Sequence, residues 1–325
     1  MYIHKQFKVC YCLFLWFILV GPIKAELSYD FTVASDGSGD FTTIQSAINA
    51  SKAFPDQPIF IFIKNGVYNE KVRVYSWNTH LSLIGESKEY TIITYGDYFN
   101  KMDLGRNSTF HTYTLKVESN DFTMKNITVE NSSGPVGQAV ALHVEGDRCH
   151  FENCSFLGHQ DTVYAAGEGA RQFFHACYIE GTTDFIFGEA TAAFYRCQIH
   201  SKSSSYITAA STPEQIPYGY LFLESELTAD VGIDAVFLGR PWRDFAKVVF
   251  VKCRLGGHIL PEGWSNWAGT HRDETVWYAE YQNEGPGATY DRRVGWSHQL
   301  TSEEAEEYTL EKFFNLGHIS WKINY

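Results

Sequence analysis

Asp161 and Asp184 each stand seven residues after a cysteine, Cys154 and Cys177 respectively. A carboxylate recurring at one point of successive repeats becomes a pair once the repeats are stacked. Two carboxyls at strand spacing, roughly 5 Å apart, resist ionising together, so one holds its proton more tightly than it would alone. Such a pair offers one base or nucleophile and one acid at a single pH. Two turn aspartates facing solvent are the plain alternative. Gln138 and Gln160 fall in the adjoining column of the same alignment. Each amide can donate to an oxygen that acquires charge, or the column can be a structural amide ladder. Arg240 sits between Gly239 and Pro241 in "FLGRPW". A guanidinium there would keep Asp184 ionised and orient it.

The elements that must hold these residues are visible as a repeat. "MKNITV" (124–129), "FENCSF" (151–156), "FHACYI" (174–179), "FYRCQI" (194–199), "FLESEL" (222–227) and "FVKCRL" (250–255) share a pattern. An apolar residue is followed three later by Asn-flanked Ile, Cys or Ser, and then by another apolar residue. No helical period runs through them, and Gly, Asn, Ser and Asp bound them, so they read as short strands joined by turns. A second family alternates with the first: "QAVALHV" (138–144), "QDTVYAA" (160–166), "TDFIFGE" (183–189), "YITAAS" (206–211) and "VFLGRPW" (236–242). Strand families alternating without helices fit a solenoid, an all-β, right-handed single-stranded parallel β-helix. Short helices are expected as caps at its ends: "FTTIQSAINASKAF" (41–54), and the tail "TSEEAEEYTLEKFF" with its capping pattern. Cys154, Cys177 and Cys197 would stack in consecutive coils, as a buried thiol ladder or with one bond between two of the three.

Composition narrows the partners. The first 25 residues carry Lys5 and Lys8, an apolar run from Val9 to Val20, and Gly21-Pro22 before Ala25. They read as a secretory signal peptide, with an uncleaved anchor as the alternative. Residues 26–325 read as one catalytic domain, secreted to the extracellular space, cell wall or periplasm and working as a monomer away from the membrane. Losing the leader's three lysines leaves a net charge three units more negative than the −12 of the full chain. Nucleic acid is an unsuitable partner for such a surface. No CxxC spacing is present, and neither metal nor cofactor is expected.

"GVYNEKV" (66–72), "GPVGQAVAL" (134–142), "HQDTVY" (159–164), "DFIFG" (184–188) and "LGRPW" (238–242), in that order, resemble the signature segments of the pectin methylesterases. "DGSGDFTTIQSAI" (36–48), "EGWSNW" (262–267) and "EYQNEGPGA" (280–288) are similar to that family too. Val163 stands where Leu is usual and Thr183 where Val is usual; neither is a polar catalytic position. The resemblance implies a β-helix and metal-free hydrolysis of galacturonate methyl esters in pectin. It makes Asp184 the nucleophile, Asp161 the acid/base, Gln138 and Gln160 the oxyanion donors, and Arg240 the group that orients Asp184. Trp242, Trp264, Tyr164 and Phe185, each within or beside a signature segment, are the candidates for substrate contact, with a core position as the alternative for Tyr164 and Phe185.

Other classes remain open at this level. A glycosidase on the same scaffold also uses paired carboxylates, but has no need of paired glutamine donors. An esterase acting on a different ester or thioester, or a non-catalytic carbohydrate-binding envelope protein, are the remaining alternatives.

Overall fold

The recurring phenylalanines lie on one another in the folded chain. In a computed structural model, which describes residues 28–315 and 320–323 together with Tyr2, Phe151, Phe174, Phe194, Phe222 and Phe250 form one stack. Successive ring centroids are 4.8, 4.7, 4.6 and 4.3 Å apart, and the planes are within 13° of parallel. That distance is the spacing of neighbouring strands, so the rings stack because the strands beneath them pair in register, Phe151 with Phe174 and Phe194 with Phe222. The expected leader, apart from Tyr2, lies outside the described residues.

Each coil visits three parallel sheets in a fixed order. The first, of eleven strands, runs from Phe31–Val33 to His298–Gln299 and carries the phenylalanine stack. The second has eight strands, from Gly66–Asn69 to Arg254–Leu255; the third has seven, from Val72–Val74 to Phe237–Gly239. This is the expected parallel β-helix, with the hand that right-twisted strands impose on parallel crossovers. The turn from first to second sheet is made by one residue in the left-handed region. Asn126, Asn153, Ala176, Arg196, Glu224 and Lys252 have φ between 50 and 56°. A non-glycine residue there costs roughly 1–2 kcal/mol, which the register of the flanking strands must offset.

From Asn153 onward, the next residue in each of these coils forms a polar column, whereas Ile127 after Asn126 is apolar. Cys154, Cys177, Cys197 and Cys253 are buried free thiols, with Ser225 taking the same place in one coil. Each donates to the carbonyl of the ladder residue one coil back: Cys177 to Phe151 (3.5 Å), Cys197 to Phe174 (3.3 Å), Ser225 to Phe194 (2.9 Å) and Cys253 to Phe222 (3.3 Å). The thiol ladder, not a disulfide, is what the coil spacing produces.

The helices are shorter than their sequence patterns. Thr43 caps Ile44–Ala50, whose Ile44, Ala47 and Ile48 face the core. Both oxygens of Glu70 accept from its first amides, those of Ile44 and Gln45, at 2.8 and 3.0 Å. Phe54, the last residue of the helix expected over 41–54, lies beyond the observed helix with φ 47° and is exposed. At the other terminus, Thr301 and Glu304 form the expected capping box. The helix Leu310–Phe314 then lies on the outer face of the first sheet, not over an open end. Its Phe313 and Phe314 pack with Phe173, Leu221 and Val249. That strip of outward apolar residues is what requires covering.

Candidate active site

The two aspartates occupy the corner where the chain enters the third sheet. Asp161 has φ 67° and Asp184 φ 49°, a left-handed conformation that a short polar side chain tolerates better than most. The Asp161 amide donates to the Thr183 carbonyl at 3.1 Å, and the Asp184 amide to Tyr206 at 2.8 Å. Two residues on, Val163 pairs with Ile186. The register therefore sets the aspartates opposite one another, one strand spacing apart, both buried.

Arg240 reaches Asp184 from the strand Phe237–Gly239. Its Nε donates to Oδ1 at 3.0 Å and its Nη2 to Oδ2 at 2.7 Å, a bidentate fork. Tyr206 and Trp267 lie on the guanidinium, with ring centroids 4.0 and 4.2 Å from its carbon. Stacking of this kind fixes the plane of the fork as well as its charge.

Burial and charge make the two carboxyls unequal. Burial pushes the Asp161 pKa well above the usual carboxylate range; the negative Asp184 beside it adds to that, and Arg240 opposes it. Burial also raises Asp184, but there the hydrogen bonds and charge of Arg240 act directly against it. One proton shared between them therefore resides on Asp161.

Gln138 and Gln160 pair backbone to backbone, as the column alignment requires. Beyond them the coils slip by a residue. Ala141 and Leu142 both donate to the Thr162 carbonyl, and Leu142 meets Val163. This bulge turns Val140 outward, beneath the site with Phe187 and Ala209. The two side-chain amides line a cleft of about 390 Å³ with Asp161, Asp184 and Arg240, and among the described residues neither amide is bonded to the other. An amide ladder is thus not what they form.

The aromatic candidates divide. Trp242 lines the cleft. Tyr164 stands behind it, half-buried, stacked on Phe187 at 4.6 Å while Phe187 meets Trp242 edge-on at 5.8 Å. Phe185 and Trp264 do not reach the cleft: both are in the core, 0% and 1% exposed. Their places are taken by Phe187 and Trp267 of the same motifs. After the left-handed corner at Asp184, Phe185 fills the turn interior, and Phe187 is the next residue to point out. Trp264 pairs with Gly239 and faces inward. Phe99, Arg106, Thr109 and Phe110 complete the cleft from the segment between the strands Thr91–Tyr95 and Leu115–Val117. No repeat runs through that segment, and sequence reasoning missed all four.

The sequence matches the pectinesterase family model over residues 30–317. It is 36% identical over 308 residues to "Probable pectinesterase/pectinesterase inhibitor 23" of Arabidopsis thaliana, an alignment covering 90% of this chain and 53% of the relative. The chain thus spans about half the length of that protein. Carrot pectin methylesterase superposes with a TM-score of 0.83 at 33% identity, covering 89% of this chain and 94% of the other. A pectin methylesterase in complex with hexasaccharide VII gives 0.77 at 28% identity, covering 89% and 97%.

Proposed function

This chain belongs to the pectinesterase family, and from that premise we propose that it hydrolyses methyl esters of galacturonate in pectin, releasing methanol. The observation that carries the reading is the unequal pair. Asp184 is gripped and aimed by a stacked arginine that opposes the effect of burial on its pKa, while burial and the charge of Asp184 both raise the pKa of Asp161 beside it.

Asp184 attacks the ester carbonyl, and the oxyanion that forms accepts from the amides of Gln138 and Gln160. As the tetrahedral species collapses, the C–O bond to methanol breaks and Asp161 gives its proton to the leaving oxygen. An anhydride between Asp184 and the sugar carboxyl remains. Asp161, now a carboxylate, takes a proton from water, whose oxygen adds to the sugar carbonyl. Collapse expels Asp184, the product acid departs, and both carboxyls are back in their starting forms. Trp242, Trp267, Phe187 and Phe110 offer ring faces for the sugars on either side.

On this reading residues 1–25 are a signal peptide, and the mature domain acts as a secreted monomer in the extracellular space, cell wall or periplasm. No helix among the described residues is long and apolar enough to cross a membrane. The test is methanol release from highly esterified pectin. Wild type is expected to release it, and Asp184→Asn to lose at least 10³-fold in rate, the scale of removing a nucleophile. Full activity in Asp184→Asn would remove the assignment.

A further inference from the structure

An aromatic platform stands at the far edge of the sheet that carries the catalytic pair. The strand Val72–Val74 is the terminal strand of the third sheet, and its exposed Arg73 continues the outward row that runs through Lys116, His143, Tyr164 and Phe187. Just beyond it, Tyr75 and Trp77 stack at 4.7 Å with their planes 6° apart, and the Arg73 guanidinium lies 5.2 Å from the Tyr75 ring. Trp77 is 44% exposed, and Phe54, whose amide donates to the Trp77 carbonyl at 2.7 Å, is 71% exposed.

The platform is built rather than frayed. The turn beneath it is closed by the Asn78 amide donating to the Tyr75 carbonyl at 2.9 Å and the Tyr75 amide donating to Asn78 Oδ1 at 3.2 Å. Asn78 is itself buried and donates to Ser51 Oγ at 3.0 Å. With Tyr75 flanked by Arg73 and Trp77, the rings of Trp77 and Phe54 are the apolar surfaces left to water, and they suit a ligand that is flat and apolar on one side. The charges nearby are already paired, Arg73 with Glu118 and Lys52 with Asp56. The platform therefore offers no net field to a polyanion, and the chain as a whole repels one.

We propose that Tyr75, Trp77 and Phe54 form a second polysaccharide-binding site, taking an uncharged, methyl-esterified stretch of the same galacturonan chain whose ester lies at Asp184. This rests on the reading of the protein as a pectin esterase. The strand leading from Asp184 lies four strand spacings, or ~19 Å measured across the sheet, from Val72–Val74, and the platform is displaced further toward the C-terminal ends of the strands. A galacturonan of many sugars seated in the cleft is long enough to reach across that gap.

The site is tested with the full mature chain and three variants: Trp77→Ala, Phe54→Ala and Trp77→Tyr. Retention by highly esterified pectin in affinity electrophoresis is expected to fall roughly three- to tenfold for the alanine variants, the worth of one stacking partner. It is expected to be kept by Trp77→Tyr, which preserves the ring. KM for long esterified pectin should rise by the same factor, with kcat unchanged, while turnover of a methyl-esterified trigalacturonide, too short to reach both sites, stays at the wild-type value. Unchanged retention in Trp77→Ala overturns the proposal, as does an equal loss on the trimer. A wild-type dimer that Trp77→Ala dissociates, seen by sedimentation, would assign the patch to a second copy and overturn it too. Failure of the wild type to release methanol from any of these esters would instead strike the functional reading, and retention is measured without turnover.

Discussion

Arg240 acts through geometry as much as through charge. Its fork meets both oxygens of Asp184, and Tyr206 and Trp267 hold the plane of that fork. Lysine keeps the charge but has neither the second donor nor a planar head to stack. Arg240→Lys is therefore expected to lower kcat by about 10²-fold, with the larger part of the loss in kcat rather than KM, measured as methanol release. Asp161 allows a prediction with opposite signs in two assays. Burial raises its pKa in the folded chain, so the folded state holds a proton that the unfolded chain loses near pH 4. Stability from this group is full below that pH and is lost as pH rises toward the folded value. Asp161→Asn removes the penalty, and is expected to melt higher than wild type near neutral pH, with no advantage below about pH 4. Its activity should nevertheless collapse. In the wild type, kcat/KM should rise as Asp184 ionises and fall as Asp161 does, placing the falling limb above the ordinary carboxylate range. Asp161, Asp184, Gln138 and Gln160 were legible in the sequence because each sits at a fixed offset in the repeat, and Arg240 because Gly239 and Pro241 frame it. Phe185 and Trp264 were misplaced because lying in a signature segment does not say which way a side chain faces: each follows a residue of positive φ, Asp184 at 49° and Gly263 at 69°, and turns into the core.

A coil contributes almost nothing alone, and its value lies in what it stacks on. Phe194 is the middle rung of the aromatic stack, with Phe174 on one side and Phe222 on the other, and it is fully buried. Phe194→Ala leaves a cavity and breaks two ring contacts, so about 3–5 kcal/mol should be lost, read from the denaturant midpoint. The polar column predicts tolerance instead. Ser225 already fills it and donates to the same kind of carbonyl as its cysteine neighbours. Cys197→Ser should therefore cost under ~1.5 kcal/mol, whereas Cys197→Leu should cost ~1–3 kcal/mol by overpacking a site bounded by coils on both sides. The ladders were readable because stacking forces one residue type to recur at one offset. Elements outside the stack left no such trace. The tail declared its capping box at Thr301 and Glu304 but not where the later helix Leu310–Phe314 would land, since the strip it covers is assembled from Phe173, Leu221 and Val249, far apart in sequence. The cleft wall formed by Phe99, Arg106, Thr109 and Phe110 was invisible for the same reason.

For the whole molecule, the decisive quantity is the sign of its charge against that of what it binds and releases. The chain carries −12, or three units more negative without the leader. A methyl-esterified galacturonan is neutral and meets no long-range barrier. In the proposed reaction each turnover leaves a carboxylate on the polymer, so the product becomes a polyanion facing a polyanionic protein. Repulsion of this kind is screened over a Debye length, about 30 Å at 10 mM salt and about 8 Å at physiological ionic strength. Fully de-esterified polygalacturonate is thus expected to inhibit weakly at low salt and more strongly as salt rises. KM for highly esterified pectin should hardly move over the same range. Measuring both constants between 10 and 150 mM sodium chloride separates this from an enzyme that grips carboxylates. In that case inhibition would be tightest in the most dilute buffer and salt would relieve it, and the acidic surface would then have to be assigned a role other than releasing the product.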